Sequence, residues 1–443
     1  MISQIINIFA LPTPLGGYMT GTATPTGRNP KTTGSMTHDD IISPATRDFI
    51  LAHREDDVRQ LALRHRAADG IDMAMALRQI DGWQRARHKI PTWTADERII
   101  FPPHISMEQC SSEATALYKT RLAGGSEDAI FADLTGGFGV DFSFMSRQFG
   151  RAYYVERQEE LCRIARHNFR VMGMENAVVV NSTAEEFIQK AGEGGMGAPP
   201  DVIYLDPARR DANGRKTYAI TDCTPDVVSL MPHLTRLSRR IIIKLSPMLD
   251  HREAARQLGG VSEVHIVSTG NECKETLLVI DRDHATAAPT VFCVNDGNIF
   301  ASPLLSSQAV PVLSDLPEPG MGLYVPNASV MKGGCFSALC ERYALAAVGV
   351  NSHLFCAKNA HFIDSSLPPF PGRTFIIKSL CSLNRKDVAR CLAGIQQANI
   401  STRNFPLSAD ALRKKLRLRD GGDTYIFATT AAGRHVLIVA AKC

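Results

Sequence analysis

The sequence predicts an α/β fold centred on a Rossmann-like parallel sheet, and three observations predict it. Apolar runs of strand length alternate with helix-period segments between residues 120 and 284. A glycine cluster, Gly136, Gly137 and Gly139, follows the first of those runs. Acidic or polar residues end the later runs: Glu156, Asn181-Ser182 and Asp206. Such alternation is what right-handed βαβ units require, and polar strand ends gather at the carboxyl edge, where open α/β sheets hold ligands.

Upstream of the sheet, residues 1–42 read as a disordered extension. Thr20–Ser35 is rich in Thr, Gly, Pro and Asn and has too little apolar surface to build a core. Translation starting at Met36 is a second reading of the same pattern. Residues 43–119 read as helical, with Val58, Leu61 and Ala62 on one apolar face and Ala74, Leu77 and Ile80 on another. Arg78, Arg85, Arg87, His88 and Lys89 form a basic run with Trp83 and Trp93 in and beside it. That mixture suits phosphate contacts plus base stacking. It equally suits a solvated helix face with two core tryptophans. Ser112 is placed to cap a short helix leading into the first strand.

Phe131–Asp141, FADLTGGFGVD, is a strand end, a tight glycine turn and a helix start. Glycine there lets backbone pass close beneath a ligand. A dinucleotide site carries much the same loop, and an ordinary strand–helix turn is the lesser alternative. Ala152–Val155 is a second strand ending at Glu156, whose carboxylate is placed to accept from two ribose hydroxyls. The helix after it carries Leu161, Ile164, Ala165 and Met172 on one face. Val178–Val180 is a third strand, with Ser182 just past its end, and Val202–Leu205 a fourth that delivers Asp206-Pro207-Ala208-Arg209.

In order and spacing these motifs resemble class I S-adenosylmethionine (SAM) methyltransferases: D-x-T-x-G-x-G at Asp133, Thr135, Gly137 and Gly139, then the acid Glu156, then Asp206-Pro207. Asp206-Pro207 is similar to the start of the D/N-P-P-Y/F tetrad of enzymes that methylate exocyclic amines of nucleobases. Ala208 and Arg209 depart from it at the second proline and at the stacking aromatic. D-P-P-R also occurs in uridine C5 methyltransferases, which need a nucleophilic cysteine after a later strand. Lys244-Leu245-Ser246-Pro247 stands at that place, and Cys273 lies one strand further on, so exocyclic-nitrogen chemistry is favoured over C5 chemistry.

The resemblance extends along the chain. DLTGGFGVD, LDPARRD (Leu205–Asp211), KLSPMLD (Lys244–Asp250), NECKE (Asn271–Glu275), ISTRNFP (Ile400–Pro406) and Leu412–Thr430 look like the Bacteroidetes class I methyltransferases with ferredoxin-like and C-terminal THUMP-like domains. That resemblance implies a methyltransferase domain over 120–284, a ferredoxin-like α+β domain over 285–371 and a THUMP-like domain over 372–443. It implies SAM as cofactor, with Asp133, Thr135, Gly136, Gly137, Gly139, Asp141, Glu156, Arg157, Ser182 and Asp206 around it, and Asp206, Pro207 and Arg209 at the chemistry. It further implies an RNA partner, rRNA or tRNA, and no metal. Arg209, Arg210, Lys244, Arg413, Lys414, Lys415 and Arg417 are the candidate RNA contacts. Arg413, Lys414, Lys415, Arg417 and Arg419 crowd one short helix expected to end at Gly421-Gly422. Like charges so close call for an anionic partner. Tyr425–Thr429 and Val436–Ala440 read as a closing hairpin.

Composition agrees with a cytoplasmic enzyme. The 443 residues are 44% apolar and can bury a large core, and the net charge of +4 leaves any RNA site to local clustering. Eleven cysteines without a C-x-x-C pair read as reduced thiols. Met1–Leu15 lacks a cationic start and is broken by Pro12 and Pro14, so neither a secretory leader nor a membrane span is expected. The alternative class is a non-catalytic SAM- or RNA-binding assembly protein. Oligomeric state is not legible.

Overall fold

The computed structural model describes residues 41–443 apart from 65–69, 104–106, 108–109, 196, 210–218, 285, 287, 305–307 and 359–360; of Arg209 it describes the backbone alone. Of the extension expected over residues 1–42, residues 1–40 lie outside the described residues, as does the candidate contact Arg210; Ile42 is described and is buried in the core, with Ile41 packed against it. The chain divides into two compact units. One takes the described residues up to 209 with Thr221–Ile243; the other takes 219–220 and Lys244–Cys443.

The first unit opens with helices α1 (Pro44–His53), α2 (Val58–Arg64), α3 (Met73–Lys89), α4 (Pro91–Thr94) and α5 (Glu113–Ala123). Ser43, Asp72 and Ser112 cap α1, α3 and α5, each accepting a backbone N–H with its side chain. The apolar faces differ from the sequence reading. Leu61 and Ile80 are buried, but Ala62 and Ala74 are exposed, and α3 buries Ala76, Gln79, Ile80 and Ala86 instead. The reason is polar. Gln79 donates to the Phe101 carbonyl at 2.9 Å and accepts the Phe101 N–H at 2.8 Å, so a glutamine belongs on the inner face. Asn168 does the same for both backbone groups of Ile100. An extended segment, Ile99–Phe101, is thereby held in the core with Trp93, Phe138 and Ile164.

The sheet of this unit comprises β1 (Ile130–Asp133), β2 (Arg151–Glu156), β3 (Ala177–Asn181), β4 (Val202–Leu205) and β7 (Arg240–Leu245); the short pair β5 (Ala208–Arg209) and β6 (Cys223–Thr224) stands apart. The order is β3-β2-β1-β4-β7, and every pairing is parallel. Helices α6 (Val140–Met145), α7 (Glu159–Val171), α8 (Ala184–Gly192) and α9 (Val227–Leu237) make the crossovers. Leu161, Ile164 and Ala165 are buried on α7, and Met172 packs partly buried just past its end. Chain order reverses between β1 and β4, so the topological switch lies at their carboxyl ends, beside Asp133 and Asp206.

In the second unit, α10 (His251–Leu258) precedes the antiparallel pair β8 (Val261–Thr269) and β9 (Glu272–Asp281). Its two-residue turn, Gly270-Asn271, has φ of 57° and 60°, the positive pair that a twisted hairpin needs. β10 (Thr290–Asn295) runs parallel to β8 and pairs with β11 (Asn298–Pro303). A seven-stranded sheet follows in the order β13-β14-β12-β15-β18-β17-β16. Its strands are β12 (Gly322–Pro326), β13 (Leu345–Ala347), β14 (Phe355–Ala357), β15 (Gly372–Cys381), β16 (Asn399–Arg403), β17 (Thr424–Ala431) and β18 (Arg434–Lys442). Its helices are α11 (Ala328–Gly333), α12 (Phe336–Tyr343), α13 (Arg385–Cys391) and α14 (Ala409–Leu416). The closing hairpin is β17–β18, as its alternation predicts. Helix α14 ends earlier than expected: Arg417, at φ 55°, is its left-handed cap, and Gly421-Gly422 turn the chain into β17.

Candidate active site

The loop from β1 to α6 is shaped from below. A Cβ on Gly136 would strike the ring of Tyr154, and one on Gly139 would lie 2.9 Å from Phe169. Tyr154 also donates its hydroxyl to the Gly137 carbonyl. Gly137 and Gly139 sit at φ 55° and 88°, a region that a side chain disfavours. The glycines are therefore required by the close aromatic floor as well as by any ligand above. Tyr154 carried no sequence signal, because it sits inside an ordinary apolar strand.

Acids converge on this loop. Asp133 is 1% exposed; its Oδ1 accepts the Thr135 N–H at 2.9 Å and the Thr135 hydroxyl at 3.3 Å. Burial pushes the Asp133 carboxyl well above its usual range, and the nearby charges of Asp141 and Asp206 push the same way. Thr135 Oγ1 in turn accepts the Asp206 N–H at 2.6 Å, which ties the tip of β4 to the glycine loop. Glu156 is buried at the end of β2 and accepts two backbone N–H groups, from Gly137 at 3.0 Å and Gln158 at 2.8 Å. Both bonds aim its carboxylate across the loop, and each oxygen keeps a lone pair for a further donor.

Asp141 is held in a buried network. It accepts from Ser111 at 2.8 Å and from the Tyr204 hydroxyl at 2.7 Å, and it pairs with Lys119 at 3.2 Å. Lys119 is wholly buried and also donates to Ser111 at 3.2 Å. Helix α5, the helix after the glycine loop and strand β4 are thus fastened by one ion pair and its hydroxyls. Sequence reasoning missed Lys119 and Tyr204; a lysine ending SSEATALYK looks like a solvated cation until its aspartate, 22 positions on, is folded beside it.

The remaining candidates are dispersed. Ser182 is buried and donates to Glu186 at 3.0 Å, within the capping box of α8. Arg157 is exposed, Pro207 is buried and Lys244 is half-buried on β7. The Cys273 thiol is pushed up by burial, which makes it a poor nucleophile at neutral pH. The basic run on α3 is largely neutralised: Arg78 pairs with Glu160, Arg85 with Asp81 and Arg87 with Glu55. Arg54 and Arg87 lie over the Trp83 ring, and Trp93 is buried against Phe138. Of the two readings of that run, the helix face with packed tryptophans matches these contacts. On α14 the unmet repulsion is met in part, because Arg413 is bracketed by Asp410 at 2.6 Å and Asp420 at 2.7 Å. Lys414, Lys415 and Arg417 are exposed.

The residues fit a cation-bearing nucleoside ligand. Asp141 and Asp206 are near enough to Asp133 to raise its pKa, and the one buried lysine, Lys119, pairs with Asp141. A sulfonium close by would offset the remaining negative charge, and Glu156 supplies acceptors suited to ribose hydroxyls.

Comparison with known proteins gives the same picture. Residues 323–362 match a family described as a ferredoxin-like domain, and residues 372–442 match the family described as THUMP domain-like. A crystal structure of a proposed methyltransferase from Porphyromonas gingivalis is 29% identical, covers 90% of this chain and 98% of its own, and superposes with a TM-score of 0.77. An uncharacterised S-adenosylmethionine-dependent methyltransferase of Mycobacterium tuberculosis is 22% identical over 322 residues, 71% of this chain and 80% of that protein. An uncharacterised RNA methyltransferase of Enterococcus faecalis is 28% identical over 97 residues, 22% of this chain and 21% of that protein. Sheet order, loop geometry and these relatives make the chain a class I SAM-dependent methyltransferase carrying ferredoxin-like and THUMP-like domains.

Proposed function

We propose that the enzyme methylates a base in RNA, at an exocyclic amine, with Asp206-Pro207 positioning the acceptor. The observation that carries this is the tether of Asp206. Its N–H is bonded to Thr135 in the glycine loop, so the acceptor-side residue is fastened directly to the cofactor loop. SAM, when bound, supplies an electrophilic methyl on a sulfonium. Glu156 would hold the ribose, and the cation would favour the ionised form of Asp133 that burial disfavours. An amine conjugated to a nucleobase ring is a weak nucleophile. Asp206 and a neighbouring backbone carbonyl would accept its two hydrogens, which localises the lone pair and orients it; most of the rate gain would be positioning. The Asp206 carboxylate would then hold the proton that the methylated amine releases.

RNA as the substrate class is supported by the match to a THUMP domain-like family and by the RNA methyltransferase relative. Arg209, Arg210 and Lys244 stay candidates for the acceptor side by their places in the sequence, and Lys414, Lys415 and Arg417 are the candidates for phosphates. Replacing these last three with Gln should lower the slope of log affinity against log salt by about 0.7 for each lost single-strand contact and leave SAM affinity unchanged. A triple variant that binds RNA like the wild type at every salt concentration would remove α14 from the RNA surface.

A further inference from the structure

Arg403 ends β16, the edge strand of the seven-stranded sheet, within the word ISTRNFP. Its guanidinium is half-buried, its Nε is buried without a hydrogen-bond partner, and among the described residues no carboxylate pairs with it. Burial and the nearby Arg373 both push its pKa down. Beside it, His353 stacks on Phe336 with ring centroids 4.7 Å apart, and its own pKa is lowered by burial and by Arg403. The loops around this point are held in unfavourable backbone conformations: Asn351, His353 and Asn404 have φ of 55°, 50° and 47°. Two bonds clasp these loops. Asn404 donates to the Val350 carbonyl at 2.8 Å, and Thr430 donates to the Asn404 carbonyl at 2.7 Å.

A cation half out of water, with an orphaned buried Nε and no carboxylate beside it among the described residues, is unfavourable unless an anion joins it. Arg413, 10 positions on, shows the other solution, with two aspartates supplied by the chain itself. We propose that Arg403, beside the clasped loop that carries His353, is an anion site that takes a phosphate of the RNA substrate. This rests on the RNA reading above and adds a defined contact on the THUMP domain-like part. Arg is suited to the role, because its planar fork takes two phosphate oxygens at once.

Three measurements on the full chain test it. First, inorganic phosphate should raise the NMR titration midpoint of His353 in the wild type and leave it unmoved in Arg403→Gln, because a bound anion favours the charged imidazole. Second, Arg403→Met without phosphate should melt at the wild-type temperature or above it, since a poorly solvated cation is removed. Third, Arg403→Gln should lower the salt slope of RNA binding by about 0.7. Absence of a His353 shift with phosphate, or an Arg403→Met variant that melts well below the wild type, would overturn the site and make Arg403 a packing residue. If phosphate moves His353 while the wild type binds no RNA, the anion site stands and the RNA reading falls.

Discussion

In the function proposed above, Glu156 holds the ribose and Asp206 holds the acceptor. Glu156 already accepts two backbone N–H groups, so its carboxylate is fixed before any ligand arrives. Glu156→Ala should weaken SAM binding by about 1.5–3 kcal/mol, the range for hydrogen bonds to a charged group, as read by calorimetry. Wild-type affinity in that variant would take Glu156 off the ribose. Asp133 has the opposite economy: its ionised form is disfavoured by burial and by its acidic neighbours. With the folded pKa raised above the unfolded value, its contribution to stability is fullest at low pH and is lost as pH rises through the folded pKa. Asp133→Asn keeps the acceptor for Thr135 and does not titrate. Without cofactor it should therefore melt higher than the wild type, by a margin that grows from acid toward neutral pH, while binding SAM more weakly. A variant that melts lower at every pH would contradict this.

At the scale of elements, strands β1 to β4 were legible because each is a short apolar run with a polar end. The α3 face was not, since its orientation is set by the bonds of Gln79 to Phe101, a pairing between distant segments that no periodicity encodes. Trp93 belongs to the same core. Trp93→Ala should cost about 3–5 kcal/mol in denaturant unfolding, the range for removing a buried aromatic, and a cost near zero would return it to the RNA-binding reading. The end of α14 was misjudged because Arg417 takes the left-handed conformation usually left to glycine. At the start of α10, His251 is buried with neither ring nitrogen partnered among the described residues. Burial, Lys332 and Arg252 hold its pKa down at about 4, against an ordinary 6.5. The unfolded chain thus binds one more proton between those values, so stability should fall by about 3 kcal/mol as pH drops across them. His251→Leu should flatten that part of the pH–stability curve; an unchanged curve would place the acid sensitivity elsewhere.

For the whole molecule, the two C-terminal family matches fall on one sheet. β12 to β14 lie within the ferredoxin-like match apart from Gly322, β15 to β18 lie within the THUMP domain-like match, and β12 pairs with β15 along five residues. Motif order along the chain disclosed both parts but not their shared sheet, because strand pairing between them is a long-range choice. The candidate site was half legible. Asp133, the glycines, Glu156 and Asp206 are gathered as their spacing predicts, while the Lys119–Asp141–Tyr204 network joins three segments whose pairing no local pattern encodes. The central claim, that Asp206 directs methyl transfer to an RNA base, is tested most directly by mass spectrometry of RNA nucleosides from three cell lines. One carries the wild-type gene, one lacks it, and one has only Asp206→Ala, a variant first shown to bind SAM normally. The account predicts that one N-methylated nucleoside is lost on deletion and stays lost with Asp206→Ala. An unchanged nucleoside profile on deletion, or full restoration by Asp206→Ala, would contradict it.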